Sequence, residues 1–283
     1  MLRMNDHLLQ GISIVSVALN APGPVAAARM ARMGAAVMKV EPPTGDALQQ
    51  AAPVWYESLC QGQTVIQLDL KDDAGKRQLD DLLAKADLLL ASFRPAALQR
   101  LGLDWERLHT RHPRLCFVGI VGYLPPQEGR TGHDLTYQAD SGLLTPPQMP
   151  ASLFIDLAGA ERAVSMSLAL LNQVARTGEA GCAWVSLHEC AHDLAAPLRA
   201  GLTSPGGWLA GGHPLYGFYR ASDGWIAIAA LEPHFAERLL LELNLTQADR
   251  AELERIFLQR SAAAWDAWAA ERGLPLVAVR RAG

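Results

Sequence analysis

An apolar strand, a helix and a second apolar strand follow one another within residues 11–43, and this order constrains the fold more than any other feature. The run "GISIVSVAL" (11–19) is rich in β-branched residues, "GPVAAARMARMG" (23–34) is an alanine-rich helical pattern, and "AAVMKVEPP" (35–43) predicts a second strand. Strands joined by a helix through short links pair in parallel. The alternation continues to residue 123, with one short helix expected near 95–108. This order predicts a Rossmann-like parallel sheet in a large α/β domain.

A change of pattern in the last third predicts a second, smaller domain. The proline-rich stretch "LLTPPQMPAS" (143–152) precedes a long apolar helix, which we expect near 157–176. After "LTSPGGWLAGGHP" (202–214) come a hairpin with "SDG" as its turn and amphipathic helices from about 233 to 271. We therefore predict a large domain over 1–202 and a small α+β domain over 203–283.

Composition and charge exclude several classes of protein. Half of the residues are hydrophobic, 19% are charged and the formal net charge is -4, so we expect neither a disordered chain nor a nucleic-acid-binding surface. The cysteines form no CxxC pair, which argues against a disulfide framework. No apolar run approaches the about 20 residues of a membrane span, and the first ten residues lack the core of a signal peptide. We expect a cytoplasmic protein without a membrane partner.

The sharpest isolated motif is "HECAH" (188–192), which matches the HExxH pattern of zinc peptidases. A catalytic zinc also needs a third protein ligand. Neither the extended motif nor a nearby glutamate follows His192, so we expect a helix with partly exposed histidines and no metal. No GxxxxGK[ST] loop occurs, and no GxGxxG follows the first strand, which argues against a nucleotide hydrolase and a nicotinamide dehydrogenase.

Six segments give the chain a resemblance to a known family. It resembles the type III CoA-transferase and α-methylacyl-CoA racemase family, also called the CaiB/BaiF family. "APGP" (21–24), "GHD" (132–134) and "LEPHF" (231–235) are similar to the racemase branch. The resemblance implies a Rossmann-like large domain, a smaller α/β domain, an interlocked homodimer and a CoA thioester as substrate, with no permanently bound cofactor. The segments, in chain order, are 21–46, 68–95, 101–123, 132–144, 154–171 and 216–240.

The resemblance also implies the site residues. His133 and Glu232 would act on one side of the substrate and Asp156 on the other, whereas in a transferase Asp156 would be the nucleophile of a covalent intermediate. Racemisation suits such a set, since one group must remove the α-proton of the thioester and another must return a proton to the opposite face. Arg94 is expected near CoA phosphate oxygens, and Lys39 near the adenosine and phosphate region.

Each candidate also has a structural alternative when the residues are taken alone. His133 could be a loop histidine that bonds backbone, Asp156 could cap the helix expected at about 157, and Glu232 could mark another helix start. Arg94 could be a surface arginine before a proline turn. Asp134, beside His133, is expected to be a helix cap or a structural residue.

Three departures from the family pattern leave alternatives open. "SLCQGQTV" (58–65) replaces a basic segment expected near the CoA phosphates, and "AGAERAV" (158–164) places Glu161 and Arg162 where small residues are usual. The chain also ends soon after "GLPLVAV" (273–279), which predicts a reduced dimer interlock. The departures leave three interpretations: a racemase of CoA esters, an enzyme for acyl groups on another carrier such as a carrier protein, and a non-catalytic binding protein. CoA transfer between carboxylic acids through Asp156 is the alternative reaction for an active enzyme.

Overall fold

The computed structural model describes residues 7–280, and the chain separates into two units with their boundary between Leu194 and Ala195. The boundary predicted after residue 202 lies further along the chain. The short helix Ala196–Arg199 belongs to the second unit. Backbone hydrogen bonds connect it onward, since the Leu202 N–H donates to the Pro197 carbonyl and the Leu209 N–H donates to the Leu202 carbonyl.

A parallel sheet forms the centre of the first unit, as predicted. Its strands are β1 (Ser13–Ser16), β2 (Ala36–Glu41), β3 (Thr64–Gln67), β4 (Leu88–Ala91), β5 (Cys116–Val121) and β6 (Cys182–Ser186). Over the described residues the order is β3-β2-β1-β4-β5-β6, and every neighbouring pair is parallel. The chain changes direction across the sheet between β1 and β4, and α/β proteins bind ligands at the carboxyl ends of strands at such a point.

Helices cover both faces of this sheet. They are α1 (Pro22–Arg32), α2 (Ala47–Ala51), α3 (Pro53–Cys60), α4 (Asp73–Leu83), α5 (Pro95–Leu101), α6 (Trp105–Arg111), α7 (Asp134–Asp140), α8 (Phe154–Thr177) and α9 (Leu187–Leu194). Leu88 and Leu90 of β4 pack among residues of α1 and α8, whereas Leu89 packs among residues of α4, α5 and α6. A strand buried on both faces needs a continuous apolar run, which explains the sequence "LLLA".

The helix predicted over 95–108 is two helices, α5 and α6. Gly102 ends α5 with a left-handed conformation, φ 70°, which glycine adopts without steric cost. Asp104 then caps α6 by accepting a hydrogen bond from the Arg107 N–H at 3.3 Å. The glycine and the aspartate are ordinary stop and start signals, and their combination breaks the segment.

The second unit contains an antiparallel sheet packed against helices, which confirms the predicted hairpin. Its strands are β7 (Tyr216–Arg220), β8 (Trp225–Ala229) and β9 (Leu276–Ala278), and its helices are α10 (Ala196–Arg199), α11 (Pro233–Glu242), α12 (Arg250–Phe257) and α13 (Ala262–Arg272), with a distorted helical turn at Trp208–Gly212. Tyr219 and Ile226 on the sheet and Phe257 on α12 share its core. Among the helices described for residues 7–280, none has the length and apolarity to cross a membrane.

Candidate active site

A cavity of about 300 Å³ opens at the carboxyl ends of β1, β4 and β5, where the strand order changes direction. Segments that follow these strands supply most of its wall, and α7, α8 and the first residue of α9 supply the rest. The lining residues are Leu19, Asn20, Pro22, Ser92, Arg94, Ile120, Val121, Gly122, Arg130, Thr131, Gly132, His133, Tyr137, Asp156 and Leu187. The structure thus brings His133, Asp156 and Arg94 to one cavity.

Close packing fixes the loop after β1 at this cavity. A Cβ atom on Gly23 would overlap the Cβ of Ala18, so the glycine of "APGP" allows α1 to begin directly against the strand end. Pro22 occupies the first helical position, where no backbone donor is needed. The Ser92 hydroxyl accepts a hydrogen bond from the Leu19 N–H at 2.9 Å, which ties this loop to the end of β4.

His133 precedes α7 and has a backbone held by a neighbouring side chain. Its N–H donates to the Thr136 hydroxyl oxygen at 2.9 Å, and its carbonyl accepts from the same hydroxyl at 2.8 Å. This reciprocal pair fixes the entry into α7. The His133 side chain is exposed on the cavity wall.

Asp134 is a helix cap, as expected, but it caps a helix distant in sequence. Its buried carboxylate accepts hydrogen bonds from the N–H groups of Ile155 at 2.7 Å and Asp156 at 3.0 Å, at the start of α8. The Gln138 side chain donates to the second carboxylate oxygen at 2.5 Å. Because Asp134 adjoins His133 in the chain and bonds Asp156, it fixes both candidates relative to one another.

Asp156 lies in the first turn of α8, which begins at Phe154, earlier than the predicted 157. It is therefore not the N-cap residue, and the capping alternative for Asp156 is wrong. Burial raises the pKa of Asp156 from 3.8 to about 7, and the neighbouring negative charge of Asp134 adds to the rise. A carboxyl group with this pKa both gives and accepts a proton near neutral pH.

Two arginines bring positive charge to the cavity. Arg94 precedes α5 and is exposed on the cavity wall. Arg130 was not predicted; its guanidinium lies 4.6 Å from the ring centre of Tyr123 and 3.8 Å from a carboxylate oxygen of Asp140. Guanidinium groups bind phosphate or carboxylate oxygens in pairs of hydrogen bonds, so this wall could hold an anionic group.

The structure does not bring Lys39 to this cavity. Its side chain is fully buried, and its ammonium group bonds the carboxylates of Glu41 and Asp46, the latter at 2.9 Å. The Tyr56 hydroxyl also donates to Glu41, at 2.7 Å. With its ammonium directed at two internal carboxylates, Lys39 is a structural residue in this geometry. Asp46 in turn accepts from the Asn20 N–H at 3.2 Å, so the network supports the cavity wall indirectly.

Glu232 belongs to the second unit, where it directly precedes α11. Its carbonyl accepts hydrogen bonds from the N–H groups of Phe235 and Ala236, both at 3.0 Å, and its side chain is exposed. Glu232 thus marks the start of a helix through its backbone, which was the structural alternative for this residue. Its role beside His133 stays a prediction.

The substitutions in "AGAERAV" do not obstruct the cavity. Glu161 pairs with Arg29 of α1 at 2.6 Å, and Arg162 pairs with Asp193 of α9 at 2.5 Å. Both side chains therefore link α8 to neighbouring helices, and neither is among the described residues that line the cavity.

The histidines of "HECAH" lie on α9, a helix as predicted. The His188 ring is 4.9 Å from the Tyr123 ring, and its Nε2 atom is 3.5 Å from a carboxylate oxygen of Asp140. Over residues 7–280, no group of three or more histidine, cysteine, aspartate or glutamate side chains is arranged to hold a metal ion. His188 thus packs beside Arg130 at the margin of the candidate site.

A larger cavity of about 690 Å³ lies within the second unit, between strands of its sheet, the helical turn at Trp208–Gly212 and the start of α12. Its lining is mostly apolar, with Phe218, Ile228 and Val277 among its members. Arg250 is the charged residue there, and its guanidinium donates to the Gly211 carbonyl at 3.0 Å. No carboxyl or imidazole group occurs among its described lining residues, so the smaller cavity is the candidate site for acid–base chemistry.

Sequence reasoning did not identify Arg130 and Tyr137. Tyr137 follows His133 by four residues, a spacing that brings helical side chains to one face. Arg130 precedes His133 by three residues in the same loop. Tyr137 lies within the segment 132–144 and Arg130 just before it, but only the folded loop shows that they line the cavity.

Comparisons with known proteins identify the family and agree with the fold. A model of CoA-transferase family III matches residues 9–283. The chain is 33% identical to the human alpha-methylacyl-CoA racemase over 84% of this chain and 65% of that protein. It is 29% identical to the cinnamoyl-CoA:phenyllactate CoA-transferase of Clostridium sporogenes over 85% of this chain and 66% of the transferase. The chain thus spans about two thirds of the length of these two curated relatives.

A solved structure confirms the architecture. A hypothetical protein of Mycobacterium tuberculosis aligns with 96% of this chain and 84% of its own, at 25% sequence identity and a TM-score of 0.84. The relatives therefore include a racemase and a transferase on one fold, so likeness alone does not select the reaction.

Proposed function

This chain belongs to CoA-transferase family III, and from that premise we propose that it is an enzyme that racemises 2-methylacyl-CoA thioesters at the α-carbon. His133 and Asp156 are the two acid–base groups. Glu232 supports His133, as the resemblance implies, and Arg94 binds phosphate oxygens of the CoA moiety.

Proton transfer in this proposal uses one group on each face of the substrate. One group removes the α-proton, and the electron pair of the broken C–H bond forms the enolate of the thioester. The other group then donates a proton to the opposite face, and the enolate electrons form the new C–H bond. The two groups end with exchanged protonation states, which the reverse reaction or exchange with water restores. Each positioned acid–base group typically increases the reaction rate about 10² to 10⁴-fold.

One observation carries the proposal: His133 and Asp156 line the same cavity, and burial gives Asp156 a pKa of about 7. A solvated carboxylate has a pKa near 4 and would be a poor donor of a proton at neutral pH. The partly buried Asp156 is suited to both halves of the exchange, as a two-base racemase requires.

The test is the exchange of the α-proton of each 2-methylacyl-CoA enantiomer in deuterium oxide. The wild-type protein should exchange and interconvert both enantiomers. Asp156→Asn should lose exchange of the enantiomer that Asp156 deprotonates while keeping some exchange of the other, and His133→Gln should show the opposite preference. His109→Gln is the matched control, because His109 stacks on Trp105 of α6, away from the cavity. Absence of exchange by folded wild-type protein across several acyl chains would contradict the proposal.

CoA transfer between carboxylic acids is the second candidate function, favoured by Arg94 and Arg130 in the cavity of Asp156. A carboxylate acceptor could pair with either guanidinium while Asp156 attacks the thioester, releases CoA and forms a mixed anhydride. Trapping with hydroxylamine tests it. An adduct on Asp156, identified by mass spectrometry after incubation with an acyl-CoA, would support transfer. Tight binding of CoA esters with neither exchange nor adduct would support the non-catalytic alternative.

We also propose that the protein acts as a homodimer, as the resemblance implies, and that it works in the cytoplasm, which its cysteine pattern favours. Light scattering on the eluting protein measures the mass directly. A single species at the monomer mass across micromolar concentrations would contradict the dimer.

A further inference from the structure

Tyr137 has a buried ring and an unpaired hydroxyl group at the candidate site. The residue is 2% exposed and lines the same cavity as His133 and Asp156. Among residues 7–280, no side chain or backbone group forms a hydrogen bond with its hydroxyl. The hydroxyl oxygen is not among the fully buried unpaired atoms of the described residues, so it is open to the cavity. A hydroxyl group that faces a cavity and bonds no protein group is available to bond a ligand.

Two glycines leave the space that this hydroxyl occupies. Gly122 directly follows β5, and Gly132 directly precedes His133. A Cβ atom on Gly132 would lie 2.9 Å from the Tyr137 hydroxyl oxygen, and a Cβ atom on Gly122 would overlap the same oxygen. The two chain segments that pass the phenol thus both require glycine, so the position of the hydroxyl group is closely defined.

The phenol stays protonated at neutral pH. Burial, with smaller contributions from the charges of Tyr123 and Asp156, raises the pKa of Tyr137 to about 12, and Arg94 opposes the rise. Asp156 and Arg94 line the same cavity as this phenol. A neutral phenol O–H is a hydrogen-bond donor.

We propose that Tyr137 donates a hydrogen bond to the carbonyl oxygen of the bound acyl thioester and stabilises the enolate formed there. This assignment rests on the proposed function. As the α-proton leaves, the C–H electron pair forms the C=C bond of the enolate and the carbonyl π pair moves to oxygen. Tyr137 keeps its proton and strengthens its hydrogen bond to the developing negative charge. A fixed donor at this position needs no reorganisation during the reaction, which is why such donors accelerate enolate formation.

Tyr137→Phe tests the proposal, because it removes only the hydroxyl group. The rate of α-proton exchange should fall about 10² to 10³-fold, the usual loss on removing one donor to a developing oxyanion, while KM for the acyl-CoA changes little. Tyr219→Phe is the matched control. Tyr219 is also buried, but its hydroxyl donates to the Pro214 carbonyl in the second unit.

An infrared spectrum of a bound thioester with a ¹³C-labelled carbonyl gives a second readout that does not depend on turnover. Wild-type protein and Tyr219→Phe should shift the carbonyl band to lower frequency, and Tyr137→Phe should lose this shift. An unchanged band and exchange rate in Tyr137→Phe would overturn the assignment, and so would failure of the wild-type protein to bind any thioester. A shifted band in wild-type protein without exchange would overturn the proposed racemisation and support Tyr137 as the donor.

Discussion

Asp156→Asn should stabilise the protein, and should do so only above a defined pH. The folded state raises the pKa of Asp156 from 3.8 to about 7, so the folded protein binds this proton more tightly than the unfolded chain. Stability contributed by the protonated carboxyl is fully present below pH 3.8 and is lost as the pH rises to about 7. Asparagine is neutral throughout and avoids this loss.

The magnitude follows from the shift of about three pKa units. At about 1.4 kcal/mol per unit, the gain in the free energy of unfolding of Asp156→Asn over wild type has an upper bound of about 4 kcal/mol above pH 7. The carboxyl group meets water in the cavity, which screens it and reduces the expectation to about 2 kcal/mol. The free energy of unfolding of Asp156→Asn should thus match that of the wild type near pH 4 and exceed it by about 2 kcal/mol at pH 8.

Urea denaturation at intervals from pH 4 to pH 8.5 measures this difference. The control is Asp81→Asn, which replaces an exposed carboxylate on α4. Its free energy of unfolding should differ from that of the wild type by less than about 0.5 kcal/mol at every pH. If Asp156→Asn were no more stable than the wild type at pH 8, or if its advantage did not change with pH, the buried-acid interpretation of Asp156 would be refuted.

Three further predictions concern residues around the site. Asp134→Ala should cost about 2–4 kcal/mol in chemical denaturation, because two amide donors of α8 lose their acceptor, and Asp134→Asn should recover part of the loss; equal stability of Asp134→Ala and wild type would contradict the capping role. Lys39→Met should cost about 3–5 kcal/mol, since it leaves Glu41 and Asp46 buried without their cation; a stable variant with a raised KM for acyl-CoA would restore Lys39 as a phosphate ligand. Arg94→Ala should raise the KM for acyl-CoA about tenfold, which corresponds to about 1.4 kcal/mol of binding free energy. Arg94→Lys should recover only part of this loss, because lysine lacks the paired donors of a guanidinium. An unchanged KM in Arg94→Ala would remove Arg94 from the binding site.

The sequence alone determined the parallel sheet, because its signals are local. Apolar runs of strand length, an alanine-rich helix with proline at its start and glycines at helix ends act within a few residues of each other. The same locality explains the errors at boundaries. The sequence predicted one helix over 95–108, where Gly102 and Asp104 divide it into two, and it placed the start of α8 at about 157 because the cap comes from Asp134, which is distant in sequence.

Only the tertiary structure decided which polar residues share an environment. Lys39 and Arg94 are both cations near strand ends, yet one is fully buried between carboxylates and the other faces the cavity. Asp134 and Asp156 are both acidic, but burial and the charge of the first raise the pKa of the second. Burial, charge coupling and the space left by glycines depend on segments that are far apart in the chain. Sequence motifs therefore named His133 and Asp156, whereas the fold was needed to show that Tyr137 joins them.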